Sequence, residues 1–572
     1  MAVSETCQEK ILSEDYMDFI TGEEWLPQLV ETSLSGFCVQ EADSDLSILY
    51  LDRNRAAPIR SGNYFYENIP SLFIPLSTSA LNAAGIFQAA EQPVLNLQGQ
   101  GVIIAFADTG IDYTLPAFRD EFGNTRILRI WDQTVQTGSP PEGLDYGTEF
   151  TSDEINKALR SDNPRNIVNT TDYNGHGTFT AGVAAGSRIE KDGQKYQGAA
   201  PLSDIVAVKL KPAKQYLRQY YRVPDQALVF QENDIMLALR YFRDIQKEFN
   251  RPLVVCFTLG TNQGGHEGGS LLGLMLQRMA RRYHSAVICA AGNEAVRSHH
   301  YYGSAYSEEV PDVVELQVGE EEYGFTMEIW PDQSELVTLS LVSPSGQQTE
   351  RLNTRPGLGR RLTFVLEGTA VTVDFWFNTA GTGSQIITLR FDRPAPGLWR
   401  LMIYSVLNYN GGFHIWLPAE NLIRPDTVFL RPDVDVTLTD PSAEEHVITV
   451  GAYDHVNGSI YLQSGRGNNR IGQQKPTIAA PGVAVEGPSS ASISGYEART
   501  GTSGAAAIAA GAAASLFTWG AVNGNLPAMT GTTVKFFMII GAEQSAAGKY
   551  PNKEWGYGTL NLYRIFEELS RL

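Results

Sequence analysis

The sequence predicts an α/β fold, a doubly wound parallel sheet, which follows an α+β segment and is interrupted by an all-β domain. From about residue 79, apolar strands such as VIIAFADTG, PLVVCFTLG and SAVICAAGN alternate with helical segments, as in a parallel sheet covered on both faces. Residues 308–431 change to short alternating strands separated by Gly, Pro and Asp turns, which is typical of a β-sandwich. The α/β pattern then returns in HVITVGAYD and KPTIAAPGV. We therefore predict a sandwich inserted between the two parts of one α/β domain.

The composition is that of an acidic globular protein. The chain has 572 residues, a formal net charge of -20 and 43% hydrophobic residues, so it can form a few domains with large cores. Phosphate binding depends on clustered Lys and Arg, and no basic stripe is evident in the sequence. We expect no nucleic-acid partner.

The cysteines and the apolar segments suggest neither a metal site nor a membrane protein. Cys7, Cys38, Cys256 and Cys289 lack metal-like spacing, so we expect no metal, no cofactor and no disulfide framework. Cys256 and Cys289 lie in apolar strands and are predicted to be buried thiols. The N-terminus MAVSETCQEK does not resemble a signal peptide, and we expect no membrane-spanning segment. These patterns favour synthesis in the cytoplasm.

Residues 1–78 form a first unit ahead of the alternating region. DYMDFITGEEW suggests a short helix, SGFCVQEADSDLSILYLDR contains strand-like segments, and YENIPSLFIPLSTS is an extended apolar tail. The pattern predicts a small α+β unit.

A serine at the start of a buried helix is the strongest chemical signal. Ser503 lies in the turn GTSG, which is followed by a long run of Ala and Ile, typical of a packed helix. A hydroxyl at this position meets free backbone N–H groups and the positive end of the helix dipole. Both favour an anion that develops beside it, as acyl transfer requires.

A serine nucleophile needs a base, an orienting carboxylate and an oxyanion donor. Asp108 ends the strand VIIAFAD, and the carboxyl ends of parallel strands are where such sheets build their sites. His176 lies between two glycines at the start of a small-residue helix, and Asn293 follows the strand AVICAAG. We expect all four side chains to meet at one edge of the sheet.

The motifs DTGID, GHGT, AAGNE and GTS, in this order, resemble those of the subtilisin-like serine proteases. The sequence is most similar to their Csp branch, the germination proteases of spore-forming clostridia. The resemblance implies that Ser503 is the nucleophile, His176 the general base, Asp108 the orienting acid and Asn293 an oxyanion donor. Gly504 and Ala507 stand where the family pattern GTSMAxP has Met and Pro. This departure affects the expected shape of the substrate pocket.

The resemblance also implies where substrate binds. Thr258, Leu259 and Gly260 would form one wall of the cleft, with backbone able to pair with a peptide. Ala291 and Gly292 are assigned to substrate binding as well. The Tyr- and Arg-rich residues 211–232 correspond to an expanded segment that borders the cleft.

For the domains, the resemblance implies a prodomain over residues 1–78, a catalytic domain over 79–307 and 432–572, and a jelly-roll insert over 308–431. The prodomain would act as an intramolecular chaperone and inhibitor, be cut near Thr78 and stay bound after cleavage. An inert N-terminal subdomain is the alternative. We interpret the insert as a structural clamp, with partner binding as the alternative.

Three further residues have two interpretations. Asp112 and Asp172 lie near the motifs and are alternative orienting acids, but their turn positions favour capping of local backbone N–H groups. His266, in NQGGHEGGS, is interpreted as a surface-loop residue rather than a ligand.

The sequence thus predicts a subtilisin-like serine endopeptidase that processes itself and cleaves a protein substrate. For a Csp-like protein, that substrate would be the precursor of a cortex-lytic enzyme, and the protein would be associated with the spore. A catalytically idle pseudoprotease that acts as a signalling or scaffolding partner is the alternative. A general degradative protease is a third interpretation.

Overall fold

A computed structural model of the chain describes residues 7–22, 37–75, 82–86, 88, 97–191, 194–352, 359–377, 383–407, 411–492, 495–546 and 548–571. Thr78, near which cleavage is predicted, and most of the segment 80–92 lie outside these residues.

The N-terminal unit is a small antiparallel sheet with one helix. Its elements are α1 (Cys7–Leu12), β1 (Tyr16–Gly22), β2 (Cys38–Asp43), β3 (Leu46–Asp52), a 3-10 turn (Tyr66–Asn68) and β4 (Leu72–Pro75). The strand order is β1-β3-β2. The helix predicted in DYMDFITGEEW is wrong, because its Tyr, Phe, Ile and Thr residues favour an extended strand and form β1, which pairs along its length with β3.

A disulfide joins Cys7 to Cys38, with their Cα atoms 5.5 Å apart. It links α1 to β2, which the spacing in the sequence did not suggest. The donor atoms of Cys7, Cys38 and Asp145 lie within 4.8 Å of one another, but the bridged sulfurs are not thiolate ligands. Cys256 and Cys289 are buried and unbridged, as predicted.

The first part of the α/β domain contains most of the central sheet. Its elements are β5 (Ile103–Asp108), β6 (Ile127–Asp132), β7 (Thr148–Thr151), α2 (Ser152–Leu159), α3 (His176–Ala185), β8 (Ile189–Lys191), β9 (Gln194–Tyr196), β10 (Asp204–Lys209), α4 (Gln215–Tyr221), β11 (Phe230–Gln231), α5 (Glu232–Phe249), β12 (Leu253–Phe257), β13 (Leu259–Gly260), α6 (Leu271–Ala280) and β14 (Ser285–Ala290). Strands β5, β6, β10, β12 and β14 are parallel.

The inserted domain consists of two antiparallel sheets around one core. Its strands are β15 (His300–Ser304), β16 (Asp312–Val318), β17 (Gly324–Pro331), β18 (Leu336–Val342), β19 (Arg360–Phe364), β20 (Thr369–Phe377), β21 (Gln385–Asp392), β22 (Gly397–Leu407), β23 (Gly412–Trp416) and β24 (Val428–Phe429). The orders are β15-β23-β17-β21-β20-β19 and β18-β22-β16-β24. Since β15 pairs with β23, the β structure begins at His300, ahead of the predicted boundary at residue 308.

The second part of the α/β domain completes the nine-stranded sheet. It contributes β25 (Ile448–Asp454), β26 (Ser459–Ile460), β27 (Ile478–Pro481), β28 (Val485–Pro488), β29 (Tyr496–Arg499), α7 (Thr502–Phe517), α8 (Gly531–Ile540) and α9 (Leu562–Leu569). The central order is β26-β25-β14-β12-β5-β10-β6-β7, with β27 also paired to β25. The central sheet is therefore completed by strands that follow the insert in the chain.

The central helix of the α/β domain is α7, which a turn at 518–522 prolongs. All of its residues are buried, and its Ala side chains allow it to pack closely on the sheet. By length and composition, Thr502–Val522 is apolar enough to cross a membrane, contrary to the sequence-based expectation. Since 83% of its most apolar window is buried inside the protein, its position is that of a core helix.

Candidate active site

Asp108 is the last residue of β5 and reaches the edge of the sheet in a buried position. Its carboxylate accepts hydrogen bonds from the backbone N–H of Thr109 at 2.7 Å, from Thr258 Oγ1 at 2.8 Å and from His176 Nδ1 at 2.8 Å. Burial by itself raises the pKa of Asp108, but the charge and hydrogen bond of His176, with the other donors, outweigh it and lower the pKa. Asp108 is therefore held as a carboxylate.

His176 begins α3 and lies between Asp108 and Ser503. Its Nε2 is 3.2 Å from Ser503 Oγ, on the opposite side of the ring from the contact with Asp108. Gly177 allows this close packing, because a Cβ there would collide with the carbonyl oxygen of Gly110. The backbone N–H of Gly177 donates to Thr109 Oγ1 at 2.9 Å, which ties the start of α3 to the end of β5.

Ser503 is the second residue of α7, at the start of the helix as predicted. Its Oγ lies 3.4 Å from the carbonyl oxygen of Thr258, so this hydroxyl is beside one predicted wall of the cleft. A hydroxyl at a helix N-terminus benefits from the positive end of the helix dipole.

Asn293 is hydrogen-bonded to Thr502, the residue that precedes Ser503. Its Oδ1 accepts hydrogen bonds from the Thr502 backbone N–H at 3.1 Å and from Thr502 Oγ1 at 3.2 Å. Thr502 Oγ1 accepts in turn from the backbone N–H of Gly292 at 3.1 Å. These two hydrogen bonds engage Oδ1 and hold the amide plane, and the donor group of the side chain is Nδ2. Gly292 has φ of 92°, a conformation that favours glycine.

The two predicted walls enclose the tail of the N-terminal unit. β4 pairs antiparallel with β13, with Gly260 opposite Ile74 and Leu259 opposite Pro75. On its other edge β4 pairs with β11, with Phe230 opposite Phe73. The tail is thus the central strand of a three-stranded sheet, which is how a peptide binds by strand addition.

Ala291 supports this site from within the sheet. Its backbone N–H donates to Val450 at 3.1 Å, and its carbonyl accepts from Thr439 at 3.0 Å. Both of its backbone groups are engaged, and its side chain is buried.

A cleft of about 810 Å³ opens beside His176. Its lining includes Asn174, Arg499, Pro224 and Leu228, together with Glu321 and Tyr323 of the insert. The inserted domain therefore borders the space next to the reacting groups.

Sequence reasoning missed the threonine hydroxyls that hold these side chains in place. Thr258 was assigned only to the wall, yet its hydroxyl bonds Asp108. Thr109 follows Asp108 in DTG, and Thr502 precedes Ser503 in GTS. This adjacency was the only sequence feature that could have indicated their roles. Glu294, in AAGNE, was also missed.

Asp112 and Asp172 cap backbone, as the sequence favoured. Asp172 accepts from the backbone N–H groups of Gly175 at 2.8 Å and Thr178 at 2.9 Å. Asp112 Oδ1 accepts from the backbone N–H of Thr114 at 3.1 Å. The ring of His176 is instead held by Asp108, through the contacts of Nδ1 with Oδ1 and Oδ2 at 2.8 and 2.9 Å.

The arrangement forms one chain of hydrogen bonds from Asp108 through His176 to Ser503. Such a chain can remove the hydroxyl proton as the serine attacks a carbonyl, and can return the proton to a leaving group. Backbone N–H groups at the start of α7 and the Asn293 amide are of the donor type that can stabilise an oxyanion.

This chain is similar to a known protein family and to solved structures. The model of the subtilase family matches residues 99–356 and 431–558. The structure of the Clostridium perfringens CspB protease is similar to this chain at 31% sequence identity, with a TM-score of 0.75, over 86% of this chain and 97% of that one. MycP1 from Mycobacterium smegmatis is similar at 14% identity and a TM-score of 0.37, over 87% and 89% of the two chains. No curated protein matches.

Proposed function

Because this chain belongs to the subtilase family and is a serine protease, we propose that it is an autoprocessed endopeptidase with Asp108, His176 and Ser503 as its catalytic triad. The observation that carries the proposal is the continuous hydrogen-bonded chain from Asp108 Oδ1 to His176 Nδ1 and from Nε2 to Ser503 Oγ.

In the proposed mechanism, His176 takes the proton of Ser503 while Oγ attacks the peptide carbonyl. The Asp108 carboxylate keeps the Nδ1 proton in place and stabilises the imidazolium. Asn293 and the backbone N–H of Ser503 donate to the oxyanion. His176 then protonates the leaving amine. Water next attacks the acyl group while His176 takes its proton, and His176 returns that proton to Ser503 Oγ as the acid leaves.

The first substrate that we propose is the chain's own tail. β4 lies in the cleft with Pro75 opposite Leu259, and the next residue along this wall is Thr258, whose carbonyl is 3.4 Å from Ser503 Oγ. Since β4 and β13 are antiparallel, β4 runs toward the nucleophile and ends beside it at Pro75. This geometry supports cleavage shortly after Pro75, in the region predicted around Thr78.

We further propose that residues 1–78 act as a prodomain that stays bound and inhibits after cleavage. Both edges of β4 are paired, so the tail occupies the position that a protein substrate would need. The likeness to a Csp protease supports a protein substrate, and we propose that this substrate is the precursor of a spore cortex-lytic enzyme. The role would be in germination.

The deciding experiment is the intact mass, under denaturing conditions, of the wild-type chain and of Ser503→Ala. We expect the wild type to be split shortly after Pro75 and Ser503→Ala to remain whole. Ser515→Ala is a matched control, because Ser515 lies in the same helix and bonds Leu97 at 3.4 Å, and it should be cut like the wild type.

Two results would contradict the proposal. If Ser503→Ala were cut like the wild type, another protease would be responsible. If both the wild type and Ser503→Ala stayed whole, and the wild type did not react with a serine-directed phosphonate, a scaffolding role without catalysis would explain the fold better.

A further inference from the structure

A buried carboxylate follows the oxyanion donor directly in the chain. Glu294 is 3% exposed. Its Oε2 accepts from His299 Nδ1 at 2.7 Å and from Asn262 Nδ2 at 3.0 Å, and its Oε1 accepts from the backbone N–H of Glu420 at 3.0 Å. We propose that Glu294 is a positioning residue, through which the inserted β domain holds the Asn293 loop in register with Ser503. The inference rests on the proposed function.

The three donors belong to three different parts of the molecule. Asn262 comes two residues after Gly260, which pairs with the tail, and it also donates to the Leu417 carbonyl of the insert at 3.2 Å. Glu420 lies in the insert after β23, and His299 immediately precedes β15. Glu294 therefore joins the wall that carries Gly260 and the Asn293 loop to the insert at one buried point.

The network requires an ionised acceptor at this position. Burial raises the pKa of Glu294, but the charge and hydrogen bond of His299, with the donors Glu420 and Asn262, outweigh it and lower the pKa. All three partners approach the carboxylate as donors. A glutamine would turn its NH₂ group toward one of these donors, so an isosteric change breaks the network without removing volume.

The consequence for the reaction is geometric. Thr502 fixes the side-chain oxygen of Asn293, while Glu294 fixes the backbone that follows it. A misplacement of about 1 Å can cost about 10²-fold in rate, even when the change lies away from the reacting atoms. If the insert only stabilised the fold, loss of the Glu294 contacts would lower stability without a selective loss in the rate of self-cleavage.

The test compares Glu294→Gln with Glu267→Gln. Glu267 is a matched control, because its carboxylate is buried, pairs with Arg470 and also joins the core to the insert, where Arg470 donates to the Pro331 carbonyl at 3.1 Å. The measured quantity is the first-order rate of self-cleavage in a pulse-chase after synthesis in vitro. Since the tail is part of the chain, this rate contains no term for substrate binding.

We expect Glu294→Gln to slow self-cleavage by roughly 10- to 100-fold, and Glu267→Gln to cleave like the wild type. Both variants should lose similar thermal stability, which separates positioning from loss of folding. If Glu294→Gln does not fold, Glu294→Asp replaces it, because it keeps the charge on a shorter side chain, and it should cleave itself more slowly than Glu267→Gln.

A double-mutant cycle identifies the residue through which Glu294 acts. Coupled residues give non-additive effects, so Glu294→Gln should add little further slowing to Asn293→Ala. Equal slowing in both backgrounds would overturn the inference, as would equal rates for Glu294→Gln and Glu267→Gln. A wild-type chain that stayed whole would overturn the proposed function together with this inference, whereas the first two results overturn the inference alone.

Discussion

Threonine hydroxyls on three separate segments fix the orientation of the reacting groups. Thr258 donates to Asp108 from the end of β12, Thr109 accepts from the start of α3, and Thr502 connects Gly292 to Asn293. Each hydroxyl satisfies a buried polar group, which would otherwise cost stability. At the scale of single residues, the geometry of the site therefore depends on side chains that take no part in the reaction.

The residue-scale prediction concerns Asn293. Asn293→Ala removes the proposed oxyanion donor and should lower the rate of self-cleavage by about 10²- to 10³-fold, the loss found when the corresponding donor is removed from subtilisin, a member of this family. The rate is measured in the same pulse-chase, and the melting temperature serves as the control for folding. A rate near that of the wild type would exclude Asn293 from the mechanism.

The N-terminal unit is attached through a buried ion pair between β1 and the expanded segment 211–232. Asp18 is fully buried, and its carboxylate accepts from Lys214 Nζ at 2.5 Å, Gln231 Nε2 at 2.6 Å and Asn233 Nδ2 at 3.1 Å. Tyr216 Oη donates to the Asp18 carbonyl at 2.7 Å. The Tyr- and Arg-rich segment, expected to border the cleft, therefore also forms the socket for the N-terminal unit.

The element-scale prediction follows from this socket. Burial lowers the pKa of Lys214, and the charge of Asp18 is the main factor that opposes the effect. Asp18→Ala leaves the lysine buried without its partner, which typically costs about 3–5 kcal/mol. After self-cleavage, the N-terminal fragment should separate from the rest of the chain on size-exclusion chromatography.

The control for this prediction is Asp18→Ala combined with Lys214→Met. The second change removes the unpaired charge, so more of the N-terminal fragment should stay bound to the rest of the chain than in Asp18→Ala alone. If the single variant retained its fragment as fully as the wild type, the ion pair would not be what attaches the unit.

At the scale of the whole molecule, stacked aromatic rings join the insert to the core. His266 stacks on Trp416 with ring centroids 4.1 Å apart, and His300 and His414 lie 5.0 and 5.2 Å from the same indole. The interpretation of His266 as a surface-loop residue is wrong, because the insert covers its loop and leaves the ring 1% exposed.

These histidines predict that acid weakens the folded protein. Burial lowers the pKa of His266 to about 4 and that of His300 to about 3, from an ordinary value of 6.5. Between these values and 6.5 the unfolded chain binds protons that the folded chain does not, so their contribution to stability is complete above pH 6.5 and is lost as the pH falls. In this window, each histidine lowers the free energy of unfolding by up to about 1.4 kcal/mol for each pH unit of acidification.

The measurement is the fall in melting temperature between pH 7.5 and pH 5. Asp440 acts in the opposite direction, because burial raises its pKa to about 7, so the histidine contribution is read from a difference between variants. The fall should be smaller for His266→Gln than for the wild type. Equal falls for the two proteins would refute the assignment.

The sequence by itself determined the α/β class, the interruption by a β-rich domain and the order of Asp108, His176, Asn293 and Ser503. Each of these follows from local features: apolar period, turn residues, and polar groups at strand or helix ends. Only the tertiary structure decided that DYMDFITG is a strand, that His266 is buried, and that Asp18 and Glu294 lie in buried networks. These outcomes depend on contacts between residues far apart in the chain, because a partner strand, a covering domain or a buried donor compensates for what local propensity and polarity disfavour.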